Sequence, residues 1–269
     1  MRSGSTRCPA KINTFLSVGP PDATGYHPLR TVFQAVSIYD ELEVTPADKD
    51  VVEAVGMVLP TSNTVTKALA LVRELVPVPP VHIRLVKNIP AESGLGGGSS
   101  DAAGLLRLLS RLVPGGLAPH FCHEVAVAVG ADAPFFLVGG RAIGTGYGES
   151  LEPLPDLPPR ELVVVKPPSG SSTVVAYKAL DSKPRPWAEL NAESYYNDFE
   201  RVAGCDSLDA IERLLSLGAQ VAQLTGSGSA VFGVFKDSIA ANEAAAEIEN
   251  QGTVFRCRTI TREESLWTS

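Results

Sequence analysis

Apolar positions recur along this chain with two different periods. Over 9–18, Ile12, Phe15, Leu16 and Val18 read as a buried strand on which Lys11 and Asn13 intrude. Proline and glycine cluster at 19–25 to mark a turn, with Tyr26 and His27 at its exit, and 31–44 reads as one or two further strands. Thr61, Ser62 and Asn63 offer N-caps to a helix lined by Val65, Leu69, Val72 and Leu75, which Pro77, Pro79 and Pro80 close. Val81, Ile83 and Leu85 then alternate with His82, Arg84 and Lys87, a strand that leads directly into PAESGLGGGSSDAAGL at 90–105. Beyond its serines, Ala102, Leu105, Leu106, Leu109 and Val113 fall on one helical face and Arg107, Ser110 and Arg111 on the other.

A third, shorter helix is expected over 120–129, stopped by Gly130. Asp132 follows, ahead of the buried-looking run FFLVGG, and glycines between 139 and 148 punctuate a hairpin. PLPDLPPR at 153–160 is the best linker, which divides the chain into an N-terminal domain, 1–152, and a C-terminal domain, 153–269. The second part reads as a strand at 161–166, a helix at 171–179 and an acidic, aromatic, helix-like stretch at 191–201. A helix at 208–217, strands at 220–224 and 230–235, a helix at 239–248 and a strand at 253–260 complete it. TGSGSA at 225–230 reads as a hairpin connection that needs no function of its own.

With 269 residues, 44% hydrophobic and 20% charged, the chain is long enough for a substantial core in one large or two moderate domains. Its net charge of -7 lacks the basic field of a nucleic-acid or anionic-membrane binder, so any anionic ligand must be held by local geometry. Cys8, Cys122, Cys205 and Cys257 show no CxxC spacing and read as reduced thiols. With neither a signal peptide nor an apolar run of membrane-spanning length, a cytoplasmic protein is expected. His120, Cys122 and His123 lack the second pair of ligands that zinc spacing requires.

The glycine-rich stretch is where chemistry first enters. Gly94, Gly96, Gly97 and Gly98, followed by Ser99 and Ser100, give a backbone that folds tightly and exposes its N–H groups at the start of a helix. Free amides and the positive end of the helix dipole favour an anion there, and nucleotide phosphate leads the candidates. The loop is not a Walker A motif, since no GKS or GKT follows, and it lacks the GxGxxG arrangement of a dinucleotide fold. Lys11 reads either as an edge lysine reaching water or as a functional cation. Asp132 reads either as a turn aspartate or as an acid with a task.

Several separated segments together carry a resemblance: PAKIN at 9–13, DATGYHPL at 22–29, PAESGLGGGSSDA at 90–102, GADAPFF at 130–136 and LTGSGSAVF at 224–232. In order and spacing, through nearly the whole chain, they resemble the GHMP small-molecule kinases. The PAKIN, GYH and GADAPFF set points to the branch that acts on 4-diphosphocytidyl-2-C-methyl-D-erythritol in the non-mevalonate isoprenoid pathway. The resemblance implies a two-domain α+β fold, a ribosomal protein S5 domain 2-like N-terminal domain and a ferredoxin-like C-terminal domain with both substrates between them. It implies transfer of the ATP γ-phosphate to the 2-hydroxyl of that small-molecule acceptor, with neither nucleic acid nor membrane as a partner.

Carried over onto this sequence, the resemblance makes Asp132 the catalytic base and Lys11 its cationic partner. It assigns the triphosphate to the loop formed by Pro90, Ala91, Glu92, Ser93, Gly94, Leu95, Gly96, Gly97, Gly98, Ser99 and Ser100, with Mg²⁺ bridging phosphate oxygens and Ser99 or Ser100 holding metal or phosphate. Asn63 falls near the adenosine, Asn13 contacts the acceptor, and Tyr26, His27 and Tyr177 meet the cytidine. Glu92 and Ser93 depart from the small residues or glycine usual in this family, and a glutamate there repels phosphate unless it faces solvent or assists a metal. Asp101 is expected in the first helical turn, favourable to the dipole while competing with phosphate for it. A relative that kept the fold and binds without catalysis is the competing reading, and it leaves a retained base without a purpose.

Overall fold

The computed structural model describes residues 2–183 and 186–268. The long apolar pattern at the N-terminus forms β1 (Gly4–Val18), which pairs antiparallel with β2 (Leu29–Pro46), so that 31–44 lies within one continuous strand. β1 breaks register between Pro9 and Ala10 and again between Asn13 and Phe15, and such bulges re-aim side chains along a strand. β3 (Val51–Val55) follows, in the mixed stretch where the pattern predicts no element, and α1 (Thr64–Leu75) and β4 (Val81–Val86) come next. β3, β4, β2 and β1 are neighbours in that order.

α2 (Gly97–Leu112) starts at the glycines, ahead of the residues whose periodicity announces it. α3 (Pro119–Val129) and the short α4 (Phe135–Val138) lead to the hairpin β5 (Arg141–Thr145) and β6 (Ser150–Leu154), whose first strand pairs with the early half of β2. Leu105, Leu106 and Leu109 of α2 pack with Val65, Leu69 and Val72 of α1 against Leu42, Ile83 and Leu85 of the sheet. Each such side chain contributes about 1.5–3 kcal/mol on burial.

Residues 155–160 connect this sheet to β7 (Glu161–Lys166), which is followed by α5 (Thr173–Asp181) and β8 (Tyr196–Asn197). A 3₁₀ turn at Asp198–Val202 leads to α6 (Cys205–Ser216), β9 (Val221–Leu224), β10 (Val231–Phe235), α7 (Ser238–Glu247), β11 (Thr253–Arg258) and α8 (Arg262–Ser265). The order β11-β7-β10-β9, antiparallel throughout, is the ferredoxin-like arrangement of two split β-α-β units. Val163 and Val165 of β7 pack towards the helices, while Leu162 and Val164 meet Ala10, Ile12, Val36 and Ile38 of the first sheet. Burial on both faces explains why ELVVVK is continuously apolar where a half-exposed strand would alternate.

The helix-like reading of 191–201 is not what forms. Its centre is β8, a two-residue strand added parallel to β1 at Phe15 and Leu16, so this part of the chain returns to the first sheet. The side chain of Asn197 accepts from the Phe199 amide and donates to the Leu224 and Gly226 carbonyls, and Asp198 accepts from the Val18 amide. Polar side chains that bond the backbone in this way compete with helix formation. Among the described residues no helix is long and apolar enough to cross a membrane.

Candidate active site

Lys11 and Asn13 alternate with Ala10 and Ile12 on β1, and the apolar pair enters the packing between the two sheets. Lys11 is therefore a core residue, 2% exposed, with its backbone amide donating to the Leu95 carbonyl of the glycine loop at 2.9 Å. Its Nζ donates to Asn13 Oδ1 at 2.7 Å and stands 3.5 Å from Asp132 Oδ2. Asp132 arrives from the turn between α3 and α4, which Phe135 and Phe136 anchor in a buried cluster with Phe33. The Lys11 ammonium lies 5.5 Å from the Phe33 ring centroid, a favourable placement for a cation.

The Asn13 amide is locked from both ends. Its Nδ2 donates to Thr31 Oγ1 at 2.8 Å, and its Oδ1 accepts from Lys11 and, at 3.0 Å, from the Gly226 amide. Its own N–H donates to Thr225 Oγ1 at 3.1 Å. The orientation follows: only the oxygen can face an ammonium and an amide donor. The turn at 225–230, read from sequence as a plain hairpin connection, thus closes on the strand that carries Lys11.

Gly94 and Gly96 both have left-handed φ, 78° and 76°. A Cβ on Gly96 would stand 2.9 Å from the Phe136 ring and 3.2 Å from Lys11 Cγ, so this glycine lets the loop lie over the lysine. Gly96 is also the N-cap of α2 and makes no side-chain cap, which leaves first-turn amides available to an external anion. Asn63 caps α1, accepting from the Val65 and Thr66 amides, and Thr64 Oγ1 donates to the Gly98 carbonyl at 2.6 Å, tying α1 to the loop.

Two cavities flank this loop. The larger, about 430 Å³, has an apolar end at Met57, Leu59 and Val65 and takes in Asn63 beside them. Pro90 through Gly94 and Gly96 through Ser99 form its loop wall. The smaller, about 160 Å³, holds Lys11, Asn13, Asp132 and Tyr177, with Phe33, Phe199 and Gly226 around them. Gly94 lines both. Leu95 and Ser100 are wholly buried and line neither; the Ser100 hydroxyl has no partner among the described residues.

His27 and Tyr26 line neither cavity, but His27 packs against Tyr177 of the smaller one. Its Nδ1 is 2.9 Å from the Gly19 carbonyl, its Nε2 is 3.4 Å from Asp181, and its ring centroid is 5.0 Å from that of Tyr177. Tyr26 is 67% exposed and leans on Tyr147, whose hydroxyl donates to Asp22 at 2.6 Å. Glu92, in the wall of the larger cavity, takes a left-handed φ of 51°, costly for a residue with a Cβ, and its carboxylate turns towards Gly170.

Asp101 departs from its sequence reading. It lies beyond the first turn of α2, 2% exposed, with Oδ2 2.6 Å from Lys87 Nζ, and the same ammonium also pairs with Asp40. Asp40 in turn accepts from the amides of Asn88 and Ile89, just ahead of the glycine loop, at 2.6 and 2.8 Å. Burial, then the Asp40 charge, push the Asp101 carboxyl up to about 8 against the pull of Lys87. Asp101 thus supports the loop from below through Lys87. Alternation in VHIRLVK suggested only a polar strand face for Lys87, and nothing local marked Asp40 as its partner.

The family model for the GHMP kinases N terminal domain matches residues 63–140, and that for the GHMP kinases C terminal matches 178–254. The 4-diphosphocytidyl-2-C-methyl-D-erythritol kinase of Solibacter usitatus is 36% identical over 99% of this chain and 92% of its own length. That of Prosthecochloris aestuarii is 37% identical over 92% of this chain and 94% of its own. A crystal structure of 4-(cytidine 5'-diphospho)-2C-methyl-D-erythritol kinase superposes with a TM-score of 0.84 at 33% identity, covering 95% of this chain and 98% of that one. The L. major mevalonate kinase, at 15% identity and a TM-score of 0.69 over 96% of each chain, shares the fold. A buried lysine and an aspartate beside a glycine loop, in this fold and with these relatives, lead to one assignment: the chain belongs to the 4-diphosphocytidyl-2-C-methyl-D-erythritol kinase family of the GHMP kinases.

Proposed function

We propose that this chain transfers the γ-phosphate of ATP to the 2-hydroxyl of 4-diphosphocytidyl-2-C-methyl-D-erythritol, with Asp132 as general base and Lys11 as the fixed cation beside it. The observation that carries this reading is the meeting of two cavities at Gly94, one walled by the glycine loop and the other by the Lys11–Asp132 pair. A phosphoryl donor in the first and an alcohol in the second come face to face there.

An alcohol is a weak nucleophile at neutral pH. A carboxylate within reach accepts its proton as the phosphoryl group arrives, and Asp132, 38% exposed, is open to the acceptor cavity. Lys11 is held by Asn13 and Asp132, so its charge is in place before reaction and stabilises the negative charge on the transferring oxygens. The acceptor hydroxyl is on the carbon that carries the methyl group, a crowded centre, which makes its placement by the cavity walls a large part of the rate. Phe33, Phe199 and Leu16 supply apolar walls. His27, Tyr26 and Tyr177 provide the rings and polar edge against which the cytosine stacks and hydrogen-bonds.

In the donor cavity the triphosphate sits against the amides of the loop and the first turn of α2, and the adenosine extends to the apolar end beside Asn63. Among the described residues no group of three or more His, Cys, Asp or Glu side chains is placed to cage a metal. Mg²⁺ fits that donor set, because it takes most of its ligands from phosphate oxygens and water and needs few from protein. The Ser99 hydroxyl in the cavity wall is the protein group that would hold it, and the ion would offset phosphate charge. The free cysteines suit a cytoplasmic enzyme.

The test is a coupled ADP-release assay with Mg²⁺, ATP and each of three alcohols: 4-diphosphocytidyl-2-C-methyl-D-erythritol, homoserine and mevalonate. ADP release that depends on the first is expected. Turnover of homoserine or mevalonate without the first reassigns the acceptor, and nucleotide binding without turnover of any favours a non-catalytic relative.

A further inference from the structure

A third cavity, about 90 Å³, opens where the 155–160 connection crosses behind β1, and it shares no lining residue with the two cavities of the candidate active site. Arg141, Thr14, Arg160 and Tyr195 are among the hydrogen-bond donors that line it. Arg141, on β5, is 6% exposed, a buried guanidinium. The Thr14 hydroxyl, at the second bulge of β1, is buried without a hydrogen-bond partner among the described residues. Arg160 has no ion-pair or side-chain hydrogen-bond partner among the described residues, and the Tyr195 phenol completes the set. Burial raises the Tyr195 hydroxyl above its ordinary pKa, while Arg160 and Arg141 pull it back, so both positive charges reach it.

Two arginines and two hydroxyls around a space large enough for a single tetrahedral group have no partner in the chain that uses them all. Arg141 donates to the Ala192 carbonyl and, at 3.1 Å, to Glu193, whose side chain is 75% exposed. An ion pair with so exposed a carboxylate is weak, and a dianion displaces it. Gln34 also lines the cavity, but its amide donates to three backbone carbonyls and is already satisfied. Arginine pairs with phosphate through parallel N–H bonds, a geometry that a buried guanidinium is preorganised to supply.

We propose that this cavity is a binding site for a phosphate group, formed by Arg141, Arg160, Thr14 and Tyr195 and covered by Glu193. It adjoins the catalytic strand. The carbonyls of Asn13 and Thr14 both accept from Gln223 Nε2, at 3.0 and 3.2 Å, and Asn13 holds Lys11. An anion on the Thr14 hydroxyl therefore engages the residue next to the one that orients the catalytic ammonium.

The experiment is calorimetric titration of the full chain, saturated with ADP to fill the donor cavity, with inorganic phosphate or with glycerol 3-phosphate at constant ionic strength. One saturable site is expected. It should weaken by about tenfold or more in Arg160→Gln, where a charge-assisted bond is lost from an exposed residue that the fold tolerates. Thr14→Val should weaken it as well while leaving the thermal midpoint of the free protein unchanged or higher, since the hydroxyl removed has no partner. Glu193→Gln should tighten it. Tighter binding of glycerol 3-phosphate assigns the site to a phosphorylated metabolite, and equal or tighter binding of inorganic phosphate assigns it to the free anion. No saturable site in the wild type, or affinity unchanged by both Arg160→Gln and Thr14→Val, overturns the proposal.

Discussion

Gly94 lies so close to Thr225 that a Cβ on the glycine would stand 2.2 Å from the Thr225 carbonyl oxygen. The glycine loop of the first sheet and the turn of the second thus meet backbone to backbone, directly beside the Lys11–Asp132 pair.

Gly94→Ala should therefore disrupt the site at its seam. Both the left-handed φ of 78° and the backbone clash oppose a side chain, and the φ alone costs about 1–2 kcal/mol. Urea unfolding should show a loss of at least that size, together with a raised KM for ATP. Gly204→Ala is the control, because nothing lies within 4 Å of the Cβ it would gain, its φ of -68° is not left-handed and it lies outside both cavities. Equal behaviour of the two variants would show that the close approach of Gly94 and Thr225 does not hold the site together.

Lys87→Met should destabilise the chain by about 3–5 kcal/mol, because it leaves Asp40 and Asp101 buried together without their cation. Asp101 also predicts a pH dependence. Its folded pKa of about 8 lies above the unfolded value of 3.8, so between those values the folded chain holds a proton that the unfolded chain has released. Stability from this group accordingly falls as pH rises from about 4 to about 8. Asp101→Asn removes that fall. Urea midpoints at pH 5 and pH 8 should diverge more in the wild type than in the variant, and identical slopes would show that Asp101 does not titrate in this window.

Glu92→Gly should improve nucleotide binding. It relieves the left-handed backbone at φ 51° and takes a carboxylate off the rim of the phosphate cavity. A lower KM for ATP with little change in kcat is expected. A collapse of kcat would instead give Glu92 a part in holding Mg²⁺.

The two residues proposed for the chemistry stand out in the sequence without any knowledge of their geometry. Lys11 intrudes on an apolar strand and Asp132 precedes a buried run, and each is anomalous by local pattern alone. Only their place in recurring segments joins them, because hydrophobic periodicity carries no information about which distant residues meet. Most strands and helices followed from periodicity; the exceptions are β8, where the side chains of Asn197 and Asp198 bond the backbone, β3 in mixed sequence, and the four-residue helices α4 and α8, too short to show a period. The Asn13 network, the Thr225 seam and the Asp40–Lys87–Asp101 group were not legible. Each depends on polar residues from separate strands whose burial is created by the packing itself. The turn at 225–230 looked like an ordinary hairpin because its local sequence is one, and its role comes from what it touches.

In the proposed reaction Lys11 and Asp132 act as one unit on the acceptor hydroxyl. The most direct measurement compares kcat for Lys11→Met, Asp132→Asn and the double variant in the ADP-release assay, with circular dichroism to confirm that each is folded. Each single change should cost about 10² or more in rate, and the double variant should be little slower than the worse single one, because either loss already disables the pair. Wild-type turnover in Asp132→Asn, or losses that simply multiply in the double variant, would contradict it.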